Sequence, residues 1–154
     1  GVGVVTLPDE RWAHPHIKSL QLLPNVLAKQ AAREAGASEA WFVDRGGLIT
    51  EGASTNAWIV AETGVLITRP ADQAILRGVT RATLLDVIAR EGIAFEERAF
   101  SLEEAYRARE AFFSSATTIA MPVIAIDGRP IGDRRPGPLT LTLRRLFHAS
   151  AERG

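Results

Sequence analysis

The sequence predicts an α+β domain, in which a mixed sheet or α/β barrel-like core carries helices on its outside. Short runs rich in Val, Ile, Phe and Trp recur along the chain, and amphipathic segments with helical spacing interrupt them. The chain has 154 residues, the length of one domain, and 46% of them are apolar, enough for a sizeable core. We therefore treat residues 1–154 as a single domain.

Turn residues and apolar spacing divide the chain into elements. The expected strands cover residues 2–7, 39–43, 48–50, 55–61, 65–68, 93–100, 111–115 and 122–126. The expected helices cover residues 22–35, 80–91 and 139–150, and a shorter one follows a capping box over residues 101–104. In the first helix, Val26, Leu27 and Ala31 form the expected buried stripe.

The composition excludes several classes of function. The formal net charge is zero, which gives no electrostatic reason to expect nucleic acid or an anionic membrane as partner. The chain has no cysteine, so disulfides, thiolate catalysis and cysteine-ligated zinc are excluded. No apolar run is long enough to cross a membrane, and residues 1–20 lack a signal-peptide pattern. The default expectation is a soluble cytoplasmic protein.

Lysine is rare in this chain. Its only lysines are Lys18 and Lys29, beside sixteen arginines. Arginine stays protonated and cannot act as an amine nucleophile, whereas a lysine in a desolvating pocket can form a Schiff base. Lys18, just before the first helix, is therefore a candidate nucleophile, and an ordinary solvated lysine is the alternative.

Three further segments could bind a flat anionic ligand. Glu51 is followed by small residues, so its carboxylate could keep a pyridine nitrogen protonated, although an exposed hairpin glutamate fits as well. Gly78 and Thr80 come at a helix start, where free N–H groups bind phosphate, and a plain helix cap is the alternative. The hydroxyl-rich run 114–118 could donate to phosphate or form a capped loop.

Other chemistries find little support in the sequence. His14 and His16 could start a metal site but lack a second cluster of ligands, and His148 is expected on the surface. The patterns Gly-x-Ser-x-Gly and His-Glu-x-x-His and the dinucleotide-binding fingerprint do not occur.

Taken in order, these segments resemble one family. The matching strings are Ile17-Lys18-Ser19-Leu20, Leu22-Leu23-Pro24-Asn25, Glu39-Ala40-Trp41, Thr50-Glu51-Gly52-x-Ser54-x-Asn56, Ile75-Leu76-x-Gly78-Val79-Thr80-Arg81 and Pro122-Val123-Ile124-x-Ile126-Asp127-Gly128. They resemble the fold-type IV (class IV) pyridoxal-phosphate aminotransferases, and among these most closely the D-amino-acid branch. The resemblance covers almost the whole chain. It implies the large C-terminal domain of that fold, a mixed sheet or barrel with flanking helices.

The resemblance also implies a cofactor, pyridoxal 5'-phosphate, and residues to hold it. Lys18 would form the Schiff base and shuttle the substrate proton, Glu51 would pair with the pyridine nitrogen, and Leu76 would pack on the ring. The other implied cofactor-binding residues are Ser54 near the ring and Gly78, Val79, Thr80, Ser115, Ala116 and Thr117 around the phosphate. The family usually has threonine where this chain has Ala116, so the hydroxyl of Ser115 or Thr117 would have to compensate.

Two positions indicate the D-amino-acid branch. Branched-chain members have a tyrosine five residues after the lysine, which reaches the cofactor's phenolic oxygen, and this chain has Leu23 there. D-amino-acid members use an arginine seven residues before the lysine, and Arg11 stands at that position. The implied reaction is transamination between D-amino acids and 2-oxo acids.

The resemblance further implies partners. The small N-terminal domain of the family, which supplies most groups that grip the substrate carboxylate, is absent from this chain, so we expect the chain alone to be inactive or very weakly active. A homodimer is expected.

Three alternatives stay open. The first two are a branched-chain aminotransferase and an aminodeoxychorismate lyase of the same fold. The third is a non-catalytic binding module.

Overall fold

The computed structural model describes residues 1–151, which form one mixed sheet with helices packed against it. The strands are β1 (Val2–Pro8), β2 (Glu39–Val43), β3 (Ile49–Gly52), β4 (Asn56–Val60), β5 (Leu66–Thr68), β6 (Phe95–Glu97), β7 (Glu110–Ser115), β8 (Ile119–Ile126) and β9 (Arg129–Pro130). The helices are α1 (Leu23–Glu34), α2 (Val79–Arg90), α3 (Leu102–Arg107) and α4 (Pro138–Ala151). Within these residues the strand order is β3-β2-β1-β8-β7-β4-β5-β6, and β9 pairs with β8.

The sheet curls until its distant strands meet. β3 and β4 are far apart in the strand order, yet the turn between them is tight, with the Gly52 N–H donating to the Thr55 carbonyl at 2.8 Å. The two ends of the strand order also meet. Leu48, which precedes β3, forms an antiparallel bridge with Ser101, which follows β6. These contacts confirm the predicted mixed, barrel-like sheet of an α+β domain.

Side chains alternate between the inside of the curled sheet and the helices outside. In β4, Ala57 and Ile59 belong to the inner cluster with Trp41 and Phe113, whereas Trp58 belongs to a cluster under α2 and α4. The helix residues in this outer cluster are Leu84, Val87, Ile88 and Leu143, each at most 2% exposed. Burial of this apolar surface is the main stabilising term of the domain.

The predicted buried face of the first helix is wrong. Val26 and Leu27 are 59% and 60% exposed, and Ala28 and Ala32 are the residues that α1 buries. The alanines pack on Ala40 and Phe42 of β2, where small side chains let the helix approach the sheet closely. The larger apolar residues of this helix therefore remain on the surface.

Several boundaries confirm the sequence predictions and others correct them. The strand over 39–43 and the capping box are as predicted, with Ser101 Oγ accepting from the Glu104 N–H at 3.1 Å. Glu51 and Gly52 were expected in a turn but belong to β3, because they continue its pairing with β2. β8 begins at Ile119 rather than at 122, and β6 is shorter than predicted.

Membrane spanning by a helix finds no support in the structure. Over residues 1–151, no helix combines the length and the hydropathy that crossing a bilayer requires.

Leu84 of α2 tests the packing of the outer cluster. Leu84 is 0% exposed, so Leu84→Ala leaves a cavity between helix and sheet and should lower the free energy of unfolding by about 2–5 kcal/mol. Leu141→Ala makes the same change on α4 at a residue that is 42% exposed, and should cost less than about 1 kcal/mol. Urea unfolding of both variants measures the difference, and equal losses would contradict this packing.

Candidate active site

Arg11 is a buried cation at the centre of the site. Its side chain is 3% exposed and lies over the Phe42 ring, 4.8 Å from the ring centroid. It donates to both carboxylate oxygens of Asp9 at 2.9 and 2.8 Å, to Glu51 Oε1 at 2.5 Å and to the Ala74 carbonyl at 2.9 Å. Burial alone would lower the Arg11 pKa, but the bonds and charges of Asp9 and Glu51 outweigh it and raise the pKa. Arg11 is thus a fixed positive charge.

Glu51, on β3, is held by three donors. Its Oε1 accepts from Arg11 and from the Leu76 N–H at 3.0 Å, and its Oε2 accepts from Asn56 Nδ2 at 2.9 Å. Burial raises the Glu51 pKa to about 7, and the Arg11 charge and the Leu76 N–H offset this only in part. The carboxylate is therefore oriented and partly deprived of water, and a further positive partner would favour its ionised form.

Asp9 is a member of the site that sequence reasoning missed. Burial alone would raise its pKa, but the hydrogen bonds and charge of Arg11 and the Thr50 hydroxyl, at 2.7 Å, hold the pKa below its usual range. Asp9 and Glu51 therefore share Arg11 as their positively charged partner. Its position two residues before Arg11 was the available signal, because such a short spacing allows a local ion pair.

Asn56 connects Glu51 to the segment before α2. Its amide nitrogen donates to Glu51 and also to the Leu76 carbonyl at 3.1 Å. Gly78, the residue that precedes α2, lies against the Asn56 side-chain oxygen. Asn56 ends the segment of residues 50–56, which is one of those that carry the family resemblance, but the resemblance implied no role for it.

The amino end of α2 presents the kind of free donor groups that bind anions. The first bond within the helix is from the Ala82 N–H to the Gly78 carbonyl at 3.0 Å, so the N–H groups of Val79, Thr80 and Arg81 have no partner in the helix. Among residues 1–151, no side chain caps this end. Val79 is 82% exposed, and Thr80 is 8% exposed. Free N–H groups and the helix dipole favour a bound anion here.

A turn rich in hydroxyl groups lies at the same end of the sheet. Asn56 of β4 pairs with Ser114 of β7, so the turn after Ser115 begins beside the residue that contacts Gly78. Within this turn the Ser115 hydroxyl is 2.7 Å from that of Thr118 and 3.3 Å from that of Thr117. Ala116 is exposed and contributes no hydroxyl. Thr118 belongs to the run that the sequence indicated as a possible donor to phosphate, although the family resemblance implied no role for it.

The two lysines differ sharply in their surroundings. Lys29 Nζ donates to the Ser38 carbonyl at 3.0 Å and lies 3.4 Å from the Glu39 carboxylate, which is 1% exposed. Lys18 is exposed, and no described residue pairs with its amine. Lys29 is thereby occupied as an ion-pair partner, and Lys18 is the freer amine.

Lys18 lies on a segment that is fixed at both ends beside Glu51. Seven residues before it, Arg11 binds Glu51 directly. Seven residues after it, Asn25 donates to the carbonyl of Ala53 at 2.7 Å, two residues beyond Glu51. His16 Nδ1 is also 3.2 Å from the carbonyl oxygen of Gln73, next to Ala74, whose carbonyl accepts from Arg11. Both ends of the segment that carries Lys18 therefore lie close to Glu51.

Ser54 is engaged elsewhere. Its hydroxyl donates to Glu39 Oε2 at 2.9 Å, and its N–H donates to the same oxygen at 3.2 Å. Its place near a cofactor ring stays a prediction.

An open pocket of about 340 Å³ lies beside Arg11, but it is not the site that these residues define. Its lining includes Asp9, Trp12, Asp44 and Gln73, whereas Lys18, Glu51, Leu76 and Thr80 are outside the lining. In the part of the chain that the structure describes, no group of three potential ligands could hold a metal ion, and His14 and His16 form edge-on ring contacts.

The donors and acceptors of the site suit a flat, phosphate-bearing pyridine. At one end a buried, oriented carboxylate offers a partner to a ring nitrogen, and Leu76 lies beside it. At the other end unpaired N–H groups and hydroxyls offer donors to a phosphate. The exposed amine of Lys18 lies on the segment whose two ends are held close to Glu51. These are the kinds of group that a pyridoxal-phosphate site combines.

Comparison with known proteins identifies the family. The family model of class IV amino-transferases matches residues 2–126. D-alanine aminotransferase from Bacillus licheniformis is 45% identical over 150 residues, which are 97% of this chain and 52% of that protein. The chain belongs to the class IV aminotransferase family. It spans about half the length of the curated relatives it matches.

Solved structures agree with this assignment. The branched-chain aminotransferase of Thermoproteus uzoniensis with norvaline has a TM-score of 0.88 and 31% identity, over 96% of this chain and 50% of that one. The branched-chain amino acid aminotransferase from Escherichia coli has a TM-score of 0.84 and 29% identity, over 97% of this chain and 52% of that one. Both share the curled mixed sheet, so the predicted fold is confirmed.

The raised pKa of Glu51 makes the cofactor-free protein less stable as pH rises. Between its ordinary value of 4.5 and its value of about 7 in the fold, the folded protein keeps a proton that the unfolded chain has released. The free energy of unfolding should therefore fall by roughly 3 kcal/mol across this pH range, and Glu51→Gln should remove this fall. Urea unfolding from pH 4.5 to 7.5 measures both proteins.

The exposed Glu103 provides the matched control for this pH series. Glu103→Gln should leave the wild-type dependence intact. A Glu51→Gln variant that loses stability with pH as steeply as the wild type would contradict the assignment.

Proposed function

We propose that the protein catalyses pyridoxal-phosphate-dependent transamination between D-amino acids and 2-oxo acids. The observation that carries this proposal is Arg11, buried and bonded to Glu51 at 2.5 Å, seven residues before the free amine of Lys18. The identity of 45% to a D-alanine aminotransferase supports it.

Residues at three places would hold the cofactor. The Lys18 amine would attach it, Glu51 and Arg11 would bind around the pyridine ring, and Leu76 would pack on the ring face. The phosphate would lie at the amino end of α2, where Gly78 precedes the free N–H groups of Val79 and Thr80. The Ser115 turn, with the backbone N–H groups of Ala116 and Thr117, would donate from the other side, and Ser54 would complete the lining.

Proton transfer would fall to Lys18. Bound pyridoxal phosphate supplies an electron-withdrawing ring that stabilises negative charge at the substrate α-carbon. The Lys18 amine, once free, would move the proton between the substrate α-carbon and the C4′ carbon of the cofactor. Glu51 would keep the ring nitrogen protonated, because the burial that raises its pKa also strengthens its attraction to a positive partner.

The hydroxyls of Ser115, Thr117 and Thr118 would compensate for Ala116. The Ser115 hydroxyl lies 3.3 Å from that of Thr117 and 2.7 Å from that of Thr118, so a phosphate at this turn would meet a cluster of donors without the hydroxyl at 116. The Thr118 N–H already donates to Ser115 Oγ at 3.2 Å, which fixes that hydroxyl in the turn.

The complete protein would need further surfaces to bind its substrate. The relatives are about twice as long as this chain, and large apolar side chains beside Lys18 are exposed: Ile17, Leu20, Leu22, Leu23, Val26 and Leu27. Leu20 is 95% exposed. Exposed patches of this kind mark interfaces. We therefore include in the proposal a small N-terminal domain and a second subunit near Lys18, and we expect residues 1–154 alone to be inactive or nearly so.

A branched-chain aminotransferase is the second candidate, because the two solved structures compared above carry that activity. Leu23 argues against it. It stands where branched-chain members would use a tyrosine, is 68% exposed and has no hydroxyl to offer a cofactor oxygen.

Covalent trapping tests the role of Lys18. Borohydride reduction of the protein loaded with pyridoxal phosphate should fix one label, on the peptide that contains Lys18. Lys18→Ala should lose the label, and Lys29→Ala should keep it, because Lys29 is already paired with Glu39. Mass mapping of the peptides reads the position, and a label on Lys29 would overturn the assignment.

Substrate choice tests the proposed activity. With the complete protein, kcat/KM for D-alanine should exceed that for L-leucine by at least ~100-fold. Transfer is measured as 2-oxo acid released, with aminodeoxychorismate as a third substrate. Turnover of L-leucine without D-alanine would favour the branched-chain candidate, and turnover of aminodeoxychorismate alone would favour a lyase. Cofactor binding without any turnover would favour a binding module.

A further inference from the structure

Asn56 uses both of its amide hydrogens on the site and neither on its own strand. It is 6% exposed at the start of β4, and Nδ2 donates to Glu51 Oε2 at 2.9 Å and to the Leu76 carbonyl at 3.1 Å. An amide nitrogen carries two donors, so its capacity is filled. The side chain thus links the Glu51 carboxylate to the segment that leads into α2.

The other end of the Asn56 amide explains why residue 78 is glycine. A Cβ on Gly78 would overlap Asn56 Oδ1, closer than any carbon and oxygen approach without a bond. Gly78 has φ −65° and ψ 137°, a conformation that every L-residue adopts without strain. The backbone conformation of residue 78 therefore does not require glycine. The Asn56 side chain does, because it leaves no room for a Cβ.

Other side chains at position 56 could not make the same link. Aspartate would lose both donors and bring a second carboxylate against Glu51, and leucine would have the size but no polar atoms. Loss of the amide would leave Glu51 Oε2 and the Leu76 carbonyl without this donor. An unpaired buried acceptor costs more free energy than a hydrogen bond from which both partners are removed.

We propose that Asn56 is a positioning residue that sets the spacing between the Glu51 carboxylate and the amino end of α2, and that Gly78 is glycine in order to admit it. The inference rests on the proposed function, in which these two places receive the ring nitrogen and the phosphate of one rigid cofactor. Asn56 touches both places, so it fixes the span that the cofactor has to fit.

A double-mutant cycle tests this link in the complete protein. The four proteins are the wild type, Gly78→Ala, Asn56→Ala and the double variant, and the dissociation constant of pyridoxal phosphate is measured by absorbance titration. Gly78→Ala should weaken binding by at least about tenfold beside Asn56, and by less than about twofold when residue 56 is alanine. Equal losses in both backgrounds would overturn the proposal. Gly3→Ala, whose Cβ meets nothing within 4 Å, is the matched control and should leave binding unchanged.

The spectrum of the bound cofactor separates positioning from mere stability. Asn56→Ala should shift the visible absorption of the bound cofactor, because Glu51 loses the donor to Oε2, and Gly3→Ala should not. An Asn56→Ala protein with a wild-type spectrum and wild-type affinity would overturn the positioning role.

Thermal unfolding of the cofactor-free proteins keeps the test independent of the proposed function. Gly78→Ala should lower the Tm beside Asn56 and leave it unchanged in the Asn56→Ala background. If the wild type does not bind pyridoxal phosphate, the proposed function fails, but the Tm cycle still reports the contact. If Gly78→Ala does not fold, the double variant should fold, and its failure where Asn56→Ala folds would overturn the contact. Asn56→Ser, which also clears Gly78, serves in a parallel cycle.

Discussion

The burial of Arg11 between two carboxylates is the constraint on which the rest of the site depends. A guanidinium cannot give up its proton, so a fold that removes it from water has to surround it with acceptors. Three separate segments do so, with Asp9 after β1, Glu51 on β3 and the carbonyl of Ala74 before α2. Any arrangement that lacked one of them would leave a charge buried with incomplete pairing, so the three segments are held to a single geometry.

The curled sheet makes this geometry possible. β1 and β3 are separated by β2 in the strand order, and β3 turns tightly into β4, which lies on the far side of the sheet path. The curl brings the end of β3, the start of β4 and the end of β7 to the same rim, where the amino end of α2 also lies. The apolar interior, with Trp41 at 0% exposure, gives this rim a rigid support. The candidate site is thus a product of sheet closure more than of any single loop.

Local patterns in the sequence predicted what depends on local physics. The β2 strand and the Ser101 capping box are encoded by neighbouring residues, and both are found where expected. The buried face of α1 was wrong, because helical spacing cannot tell that small alanines face the sheet while Val26 and Leu27 face outward.

The residues of the candidate site also divide into those that the sequence indicated and those that only the folded contacts revealed. The resemblance to a known family pointed to Arg11, Glu51 and Leu76, and the structure brings Arg11 and Leu76 into direct contact with Glu51. The contributions of Asp9 and Asn56 were not evident, because each depends on partners from other segments. An aspartate or an asparagine beside a strand reads as a turn residue until the fold shows what it faces.

The place of β1 in the sheet has a consequence for the order in which the domain assembles. β1 lies between β2 and β8, so Val4 pairs with Glu39 on one side and with Ile126 on the other. The second pairing closes a loop of nearly the whole domain, and contacts this distant in sequence form slowly. Arg11 lies on the segment that follows β1, so the strand that leads into the site gains its second neighbour only when β8 has been made. During synthesis on the ribosome, one edge of β1 therefore stays unpaired until most of the domain has been made.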